Sequence, residues 1–164
     1  MAAMRTRTAI IVFVLSALVA SPALAGGVFT GTFGSEKFKS KKRFAVCAFF
    51  RSFGQFSVTG VKGNRKKQTG SIVGGTTPDF TAPGAAFPIV VENPTGSFTS
   101  GPPPTPPTWT GYGPQLGGDF SVTITGYKKG KVSGSVTGTM QPAIGGAVGP
   151  LTVNATFTVK CIVR

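Results

Sequence analysis

The residues with the most evident chemistry are lysines and arginines in three short clusters. The chain has 17 Lys and Arg against four Asp and Glu, and no histidine. Such clusters predict binding of a polyanion, with an affinity that falls as salt rises. The alternative is a solvated surface that keeps a glycine-rich protein soluble. The clustered residues are Lys37, Lys39, Lys41, Lys42 and Arg43; Lys62, Arg65, Lys66 and Lys67; and Lys128, Lys129 and Lys131.

Catalytic chemistry has little support in this sequence. The absence of histidine excludes Ser-His-Asp and Cys-His arrangements and histidine-based metal sites. The four carboxylates show no spacing typical of calcium or magnesium ligands, and no glycine motif for phosphate is present. A glycosidase-like pair of Glu92 and Asp119 stays formally open. We predict a non-enzymatic protein with no catalytic residue, metal or cofactor.

The first 25 residues have the features of a cleaved export signal. Arg5 and Arg7 precede an apolar run from Ala9 to Ala20, and "ALA" at 23–25 fits a cleavage site. The run is too short to cross a bilayer comfortably. We therefore expect a secreted, periplasmic or cell-surface protein and do not expect membrane insertion.

Two cysteines in an exported chain predict one disulfide. Cys47 and Cys161 would close a loop of roughly 115 residues. The alternative is a pair of buried thiols that act as small apolar residues.

The composition after residue 25 is that of a β protein. Leucine occurs only at Leu116 and Leu151, whereas Val, Phe, Thr, Ser and Gly dominate. Residues 26–164 carry 15 basic and four acidic side chains, a net charge of +11, and suffice for one domain. We predict an all-β fold: a single antiparallel β-sandwich or a small up-and-down β-barrel of about 8–10 short strands.

An internal repeat places two of the basic clusters at equivalent positions. Residues 54–75 match residues 118–139 without a gap at nine of 22 positions. The match predicts two β-hairpins with basic tips, through duplication or through convergence of similar strands. Tips at the same end of the sheet would form a composite cationic rim.

The last strands have a familiar layout. "SVTITGYKKGKVSGSVTGTM" followed by "LTVNATFTV" resembles the C-terminal meander of uncharacterised exported β-domains found widely in bacteria. The resemblance implies the fold class and carries no active site with it.

The segment "EKFKSKKRFAVCAFFR", residues 36–51, combines a basic run with an apolar block. In one unbroken strand Cys47 would face the basic side, whereas alternation in the final strand turns Cys161 toward the core. We therefore predict a break near Ser40–Lys42, with the lysines in a turn or at an edge, and a separate strand from about Phe44 to Phe50 that is buried on both faces.

Three functions are compatible with these features. The first is an exported β-domain that binds anionic surface polymers, such as an anionic polysaccharide, through basic hairpin tips. The second is a structural or accessory module of an envelope or matrix with no specific ligand. The third is a small outer-membrane β-barrel. Sequence-specific nucleic-acid binding is not expected, because few aromatic residues lie near the clusters. The oligomeric state stays open.

Overall fold

The computed structural model describes residues 26–40, 44–64, 67–101 and 105–164, and residues 64, 67 and 68 by their backbone alone. The predicted export signal at 1–25 lies outside the described residues. Five predicted binding residues also lie outside them: Lys41, Lys42, Arg43, Arg65 and Lys66.

The described residues form eleven strands and two single-turn 3-10 helices at Arg51–Phe53 and Pro114–Leu116. The all-β prediction is confirmed, with one strand more than expected. The added strand is β2, an edge strand of the sheet, whose lysines were expected in a turn or at an edge. The strands are β1 (Gly27–Phe33), β2 (Glu36–Lys39), β3 (Ala45–Phe50), β4 (Gln55–Asn64), β5 (Lys67–Thr76), β6 (Ile89–Val90), β7 (Glu92–Ser100), β8 (Thr108–Tyr112), β9 (Ser121–Lys128), β10 (Lys131–Ile144) and β11 (Leu151–Val163).

All eleven strands belong to one mixed sheet, in the order β2-β1-β11-β3-β4-β5-β7-β8-β10-β9-β6. Because β10 also pairs with β11, the strands from β11 through β3 to β10 close into a ring, as in a small barrel. Two details differ from the prediction. The β3–β11 pairing is parallel, and the strand order is not up-and-down. The reason is that the last strand pairs with β10 along one edge and with β1 and then β3 along the other, and closes the ring there.

Phenylalanine dominates the core. The rings of Phe33 and Phe98 stack with their centroids 4.2 Å apart. Phe120 lies against Gly96 and Gly111, which are partners on β7 and β8, and a Cβ at either glycine would overlap its ring. An alanine at either position would therefore force the packing apart. The fully buried phenylalanines are Phe29, Phe33, Phe38, Phe49, Phe56, Phe80, Phe98, Phe120 and Phe157.

The disulfide prediction is confirmed. Cys47 on β3 and Cys161 on β11 are direct partners in the parallel pairing, with Cα atoms 4.3 Å apart and a bond between their sulfurs. Cys47 is fully buried, and so is its neighbour Ala48, which points to the opposite face of β3. The split of the 36–51 segment is thus confirmed, since β2 ends at Lys39 and β3 is covered on both faces. A disulfide is compatible with an oxidising, exported location.

Both repeat segments form antiparallel hairpins, β4–β5 and β9–β10. Asn64 pairs with Lys67 at the first tip and Lys128 with Lys131 at the second, which is the same register under the 64-residue offset. A register shift follows, because Ser133 pairs with Gly126 and Gly134 with Ile124, which leaves Thr125 of β9 unpaired. The ungapped match therefore describes the tips correctly, whereas the bulge at Thr125 reverses the alternation of β9. β10 keeps its alternation, with Val132, Val136 and Met140 buried on one face.

Candidate functional site

The described members of two of the three basic clusters meet at one end of the sheet. Lys37 and Lys39 lie on β2, and their side chains are exposed. The Lys62 ammonium on β4 donates a hydrogen bond to the backbone oxygen of Lys37 at 2.7 Å. Lys67, at the tip of the same hairpin, is described by its backbone alone.

A carboxylate lies among these lysines. Glu36 Oε1 is 3.9 Å from Lys62 Nζ, and the Glu36 carboxylate accepts hydrogen bonds from Ser100 at 2.9 Å and Thr69 at 3.4 Å. These contacts tie β2 to β4, β5 and β7. We call Lys37, Lys39 and Lys62 together with Glu36 the Glu36 region. Part of its positive charge is neutralised by its own carboxylate.

The third cluster lies at the opposite end of the β4–β5 hairpin. Phe80 contacts Phe56 at the base of that hairpin and Tyr127 beside the second tip, with centroid distances of 5.7 and 5.6 Å. Phe56 lies roughly 25 Å along β4 from the first tip at Asn64. The hairpin tips are therefore separated, and the composite rim proposed for coincident tips does not form. The reason is that the tip of β9–β10 packs near the base of the other hairpin, the end away from its turn.

The second hairpin turns through Lys129 and Gly130. Their φ angles are 50° and 74°, so both central residues have positive φ, as a type I′ turn requires. Glycine and asparagine accept this conformation readily, whereas lysine is strained in it. A cation therefore occupies a turn position for which the backbone favours another residue.

Three lysines form a row across three neighbouring strands next to this turn. Lys128 on β9 pairs with Lys131 on β10, and Lys131 pairs with Lys160 on β11. All three side chains are exposed, and direct partners project from the same face with Cβ atoms about 5 Å apart. We call Lys128, Lys131 and Lys160 the lysine ladder.

Lys160 was not among the predicted binding residues. Alternation in the final strand had placed it on the polar face, but the ladder depends on which strand lies beside β11. The pairing of Lys131 with Lys160 joins residues 29 positions apart along the chain, so no local sequence pattern predicts it.

The lysine ladder borders an open groove of about 620 Å³. Tyr127 and Phe87, both half-buried, contribute aromatic rings to it. Thr125, Ser133 and Thr158 contribute hydroxyl groups, and the last two are 3.0 Å apart and hydrogen-bonded. We call this depression the Tyr127 groove. Lys128, Lys129 and Lys131 also line it.

Two carboxylates, those of Asp79 and Asp119, are engaged away from the lysine ladder. Asp79 forms an ion pair with Arg51 at 3.3 Å, and hydrogen bonds from Thr81 hold the pKa of Asp79 below its ordinary value. Hydrogen bonds from the hydroxyl and amide of Thr139 lower the pKa of Asp119 in the same way. Both ion pairs in the described part of the chain lie outside the lysine ladder. Its positive charge therefore faces solvent without a paired carboxylate.

Across the described ranges, no three His, Cys, Asp or Glu side chains come together as metal ligands would. Neither helix in the described part of the chain is long and apolar enough to cross a membrane.

Comparison with protein families, with curated proteins and with solved structures finds no match to this chain. The resemblance of its last strands to exported bacterial β-domains stays a prediction.

Proposed function

We propose that this protein is an exported, non-enzymatic β-domain that binds anionic polymers, with the lysine ladder and Lys129 as its principal contacts. The remaining predicted residues, including those of the Glu36 region, contribute long-range attraction through the net charge of +11 on residues 26–164.

The observation that carries this proposal is the register of the ladder. Like charges directly opposite each other on paired strands destabilise a sheet. Lys128, Lys131 and Lys160 repeat this arrangement across two strand pairs, without a carboxylate to offset it. An anion bound across the ladder would reduce the repulsion between the lysines. This relief would make the free energy of binding more favourable.

The turn supports the same assignment. A lysine at a positive-φ turn position is a local choice against stability, and such choices are common where a residue serves binding. At the tip of the hairpin, the Lys129 ammonium extends the row of positive charge beyond the strands.

The disulfide and the signal-like first 25 residues support export, which would expose the ladder to polymers of a cell surface or matrix. The outward positions of β11 favour a water-facing surface over the outer-membrane alternative. They are Thr152, Asn154, Thr156, Thr158 and Lys160, all exposed, whereas a lipid-facing strand needs apolar residues there.

The proposal is tested by retention of the purified protein on immobilised heparin, a model anionic polysaccharide, over a range of salt. The first variant neutralises the ladder with Lys128→Gln, Lys131→Gln and Lys160→Gln. The matched variant removes the same charge from the Glu36 region with Lys37→Gln, Lys39→Gln and Lys62→Gln. We expect the ladder variant to elute at clearly lower salt, with a salt-dependence slope smaller by about two to three.

Equal losses in the two variants would contradict the proposal. Retention would then depend on net charge alone, as the structural or accessory alternative predicts. Far-ultraviolet circular dichroism of both variants serves as the control for folding.

A further inference from the structure

The Tyr127 groove contains more than positive charge. Tyr127 and Phe87 place aromatic rings in the depression that the lysines border. Its volume of about 620 Å³ lies within the range of small-ligand sites. A simple phosphate or sulfate needs neither the aromatic surface nor this space.

The Tyr127 ring is held in place by its surroundings. Tyr127 pairs with Val132 across the hairpin, and its ring packs edge-on against the buried ring of Phe80 at 5.6 Å. Because Val132 is fully buried, the Tyr127 ring projects toward the core side of the hairpin, and its exposed part offers the groove a preformed apolar edge whose side-chain entropy is largely lost on folding.

Hydroxyl groups lie beside this surface. In the hydrogen-bonded pair of Ser133 and Thr158, one hydroxyl donates to the other, which leaves one proton and several lone pairs free. Thr125, also exposed, adds a third hydroxyl. These groups both donate and accept hydrogen bonds, as the hydroxyls of a sugar do.

We infer that the Tyr127 groove binds acidic sugar residues of a polysaccharide. The apolar face of a sugar ring would pack on Tyr127, its hydroxyls would meet Ser133, Thr158 and Thr125, and its sulfate or carboxylate would meet the lysine ladder. This inference rests on the proposed function and assigns it a class of ligand.

The groove fits a sugar better than it fits single-stranded nucleic acid. Proteins that bind single strands present a series of aromatic platforms along a basic track. Among the described residues that line the groove, Tyr127 and Phe87 are the aromatic ones, and hydroxyl groups occupy the space between the strands.

The test compares three polyanions of similar charge: a heparin-derived hexasaccharide, inorganic polyphosphate and oligothymidylate. Tyr127→Leu keeps apolar contact with Phe80 but removes the flat ring, whereas Tyr127→Phe keeps the ring. Tyr112→Leu, a tyrosine on β8 that is 39% exposed, is the matched control. Dissociation constants are measured by isothermal titration calorimetry, and folding is checked by thermal melting.

We expect Tyr127→Leu to weaken hexasaccharide binding about five- to tenfold and to change polyphosphate binding less than about twofold. Tyr127→Phe and Tyr112→Leu should leave both within about twofold. Unchanged hexasaccharide binding in Tyr127→Leu would overturn the inference in favour of charge alone. A larger loss for oligothymidylate than for hexasaccharide would overturn it in favour of a single-stranded nucleic acid.

The proposed function and this inference fail in different ways. If the unmodified protein binds none of the three polyanions in a salt-dependent manner, the proposed function fails. If it binds all three and Tyr127→Leu has no selective effect, only the assignment of acidic sugars fails.

Discussion

The two basic regions of this protein contain similar residues but differ in their electrostatic surroundings. In the Glu36 region, Lys62 donates to a backbone oxygen and lies near a carboxylate that also receives two hydroxyl hydrogen bonds. In the lysine ladder, three cations face one another in register without a carboxylate partner. The first arrangement joins strands of the protein, whereas the second leaves its charge available to a ligand.

The difference shows that the number of lysines is a poor guide to a binding site. A cation that already has an acidic neighbour gains less from an external anion, because binding must compete with the existing pair. A cation surrounded by other cations gains more. Four sets of substitutions test this distinction, and the loss of the disulfide should change the protein most.

The disulfide anchors the strand that supplies the third rung of the ladder. Lys160 precedes Cys161, and Cys161 joins β11 to β3. The double substitution Cys47→Ala and Cys161→Ala should lower the free energy of unfolding by about 4–5 kcal/mol, because it frees a long loop in the unfolded chain. Denaturant unfolding measures this change. An effect below about 1 kcal/mol would mean that strand pairing alone holds β11 in place.

Lys131→Glu places a carboxylate in the centre of the ladder and so makes it resemble the Glu36 region. Flanked by Lys128 and Lys160, the new carboxylate would repel an incoming anion and attract its neighbours. We expect heparin affinity to fall about tenfold or more and stability to rise by a few tenths of a kcal/mol. Lys37→Glu, with the same charge change, is the control. An equal loss of affinity in that control would remove the distinction between the regions.

Lys129→Asn separates stability from binding at the turn. Asparagine tolerates the positive φ of this position better than lysine does, so the free energy of unfolding should rise by about 1 kcal/mol while heparin retention weakens slightly. Thermal and denaturant unfolding measure the gain. The matched substitution Lys128→Asn removes the same charge from a strand position. There the relief of repulsion in the ladder is offset by the low β propensity of asparagine, so the free energy of unfolding should stay within about 0.5 kcal/mol. A stability loss in Lys129→Asn would show that the lysine side chain supports the turn.

Glu36→Gln removes the carboxylate from the Glu36 region. We expect heparin affinity to rise about twofold, since Lys62 loses its acidic neighbour, and stability to fall by no more than about 1 kcal/mol. The control is Glu92→Gln, which changes the net charge by the same amount at an exposed site on β7. The heparin affinity of both variants is measured by titration at low salt. Equal increases in both variants would assign the effect to net charge.

Several features of this fold could be predicted from local patterns. The alternation of β11 gave its buried face correctly, including Val153, Phe157 and Cys161. The repeat located two hairpins and the register of their tips. Alternation within the 36–51 segment would turn Cys47 away from the core in an unbroken strand, and so it predicted the break before β3. Each of these depends on neighbours within one or two strands, where the two-residue period of β structure is strict.

Other features of the fold could not be predicted from local alternation and composition. The bulge at Thr125 in β9 turns Tyr127 to the buried side on which Ile124 lies, and one inserted residue has no compositional marker. β2 was missed as a strand because its lysines suggested a solvated turn, although Phe38 between them is fully buried. Phe87, far from the basic clusters in sequence, reaches the groove from a loop.

The class of fold, the disulfide partners and the excess of positive charge follow from composition, cysteine number and alternation, which can be read along the chain. The separation of the hairpin tips, the row of Lys160 with Lys128 and Lys131, and the partial neutralisation of the other region by Glu36 depend on the three-dimensional fold. These are pairings between distant segments. They arise from closure of the sheet through β11, which is set by packing of the whole core and not by any one strand.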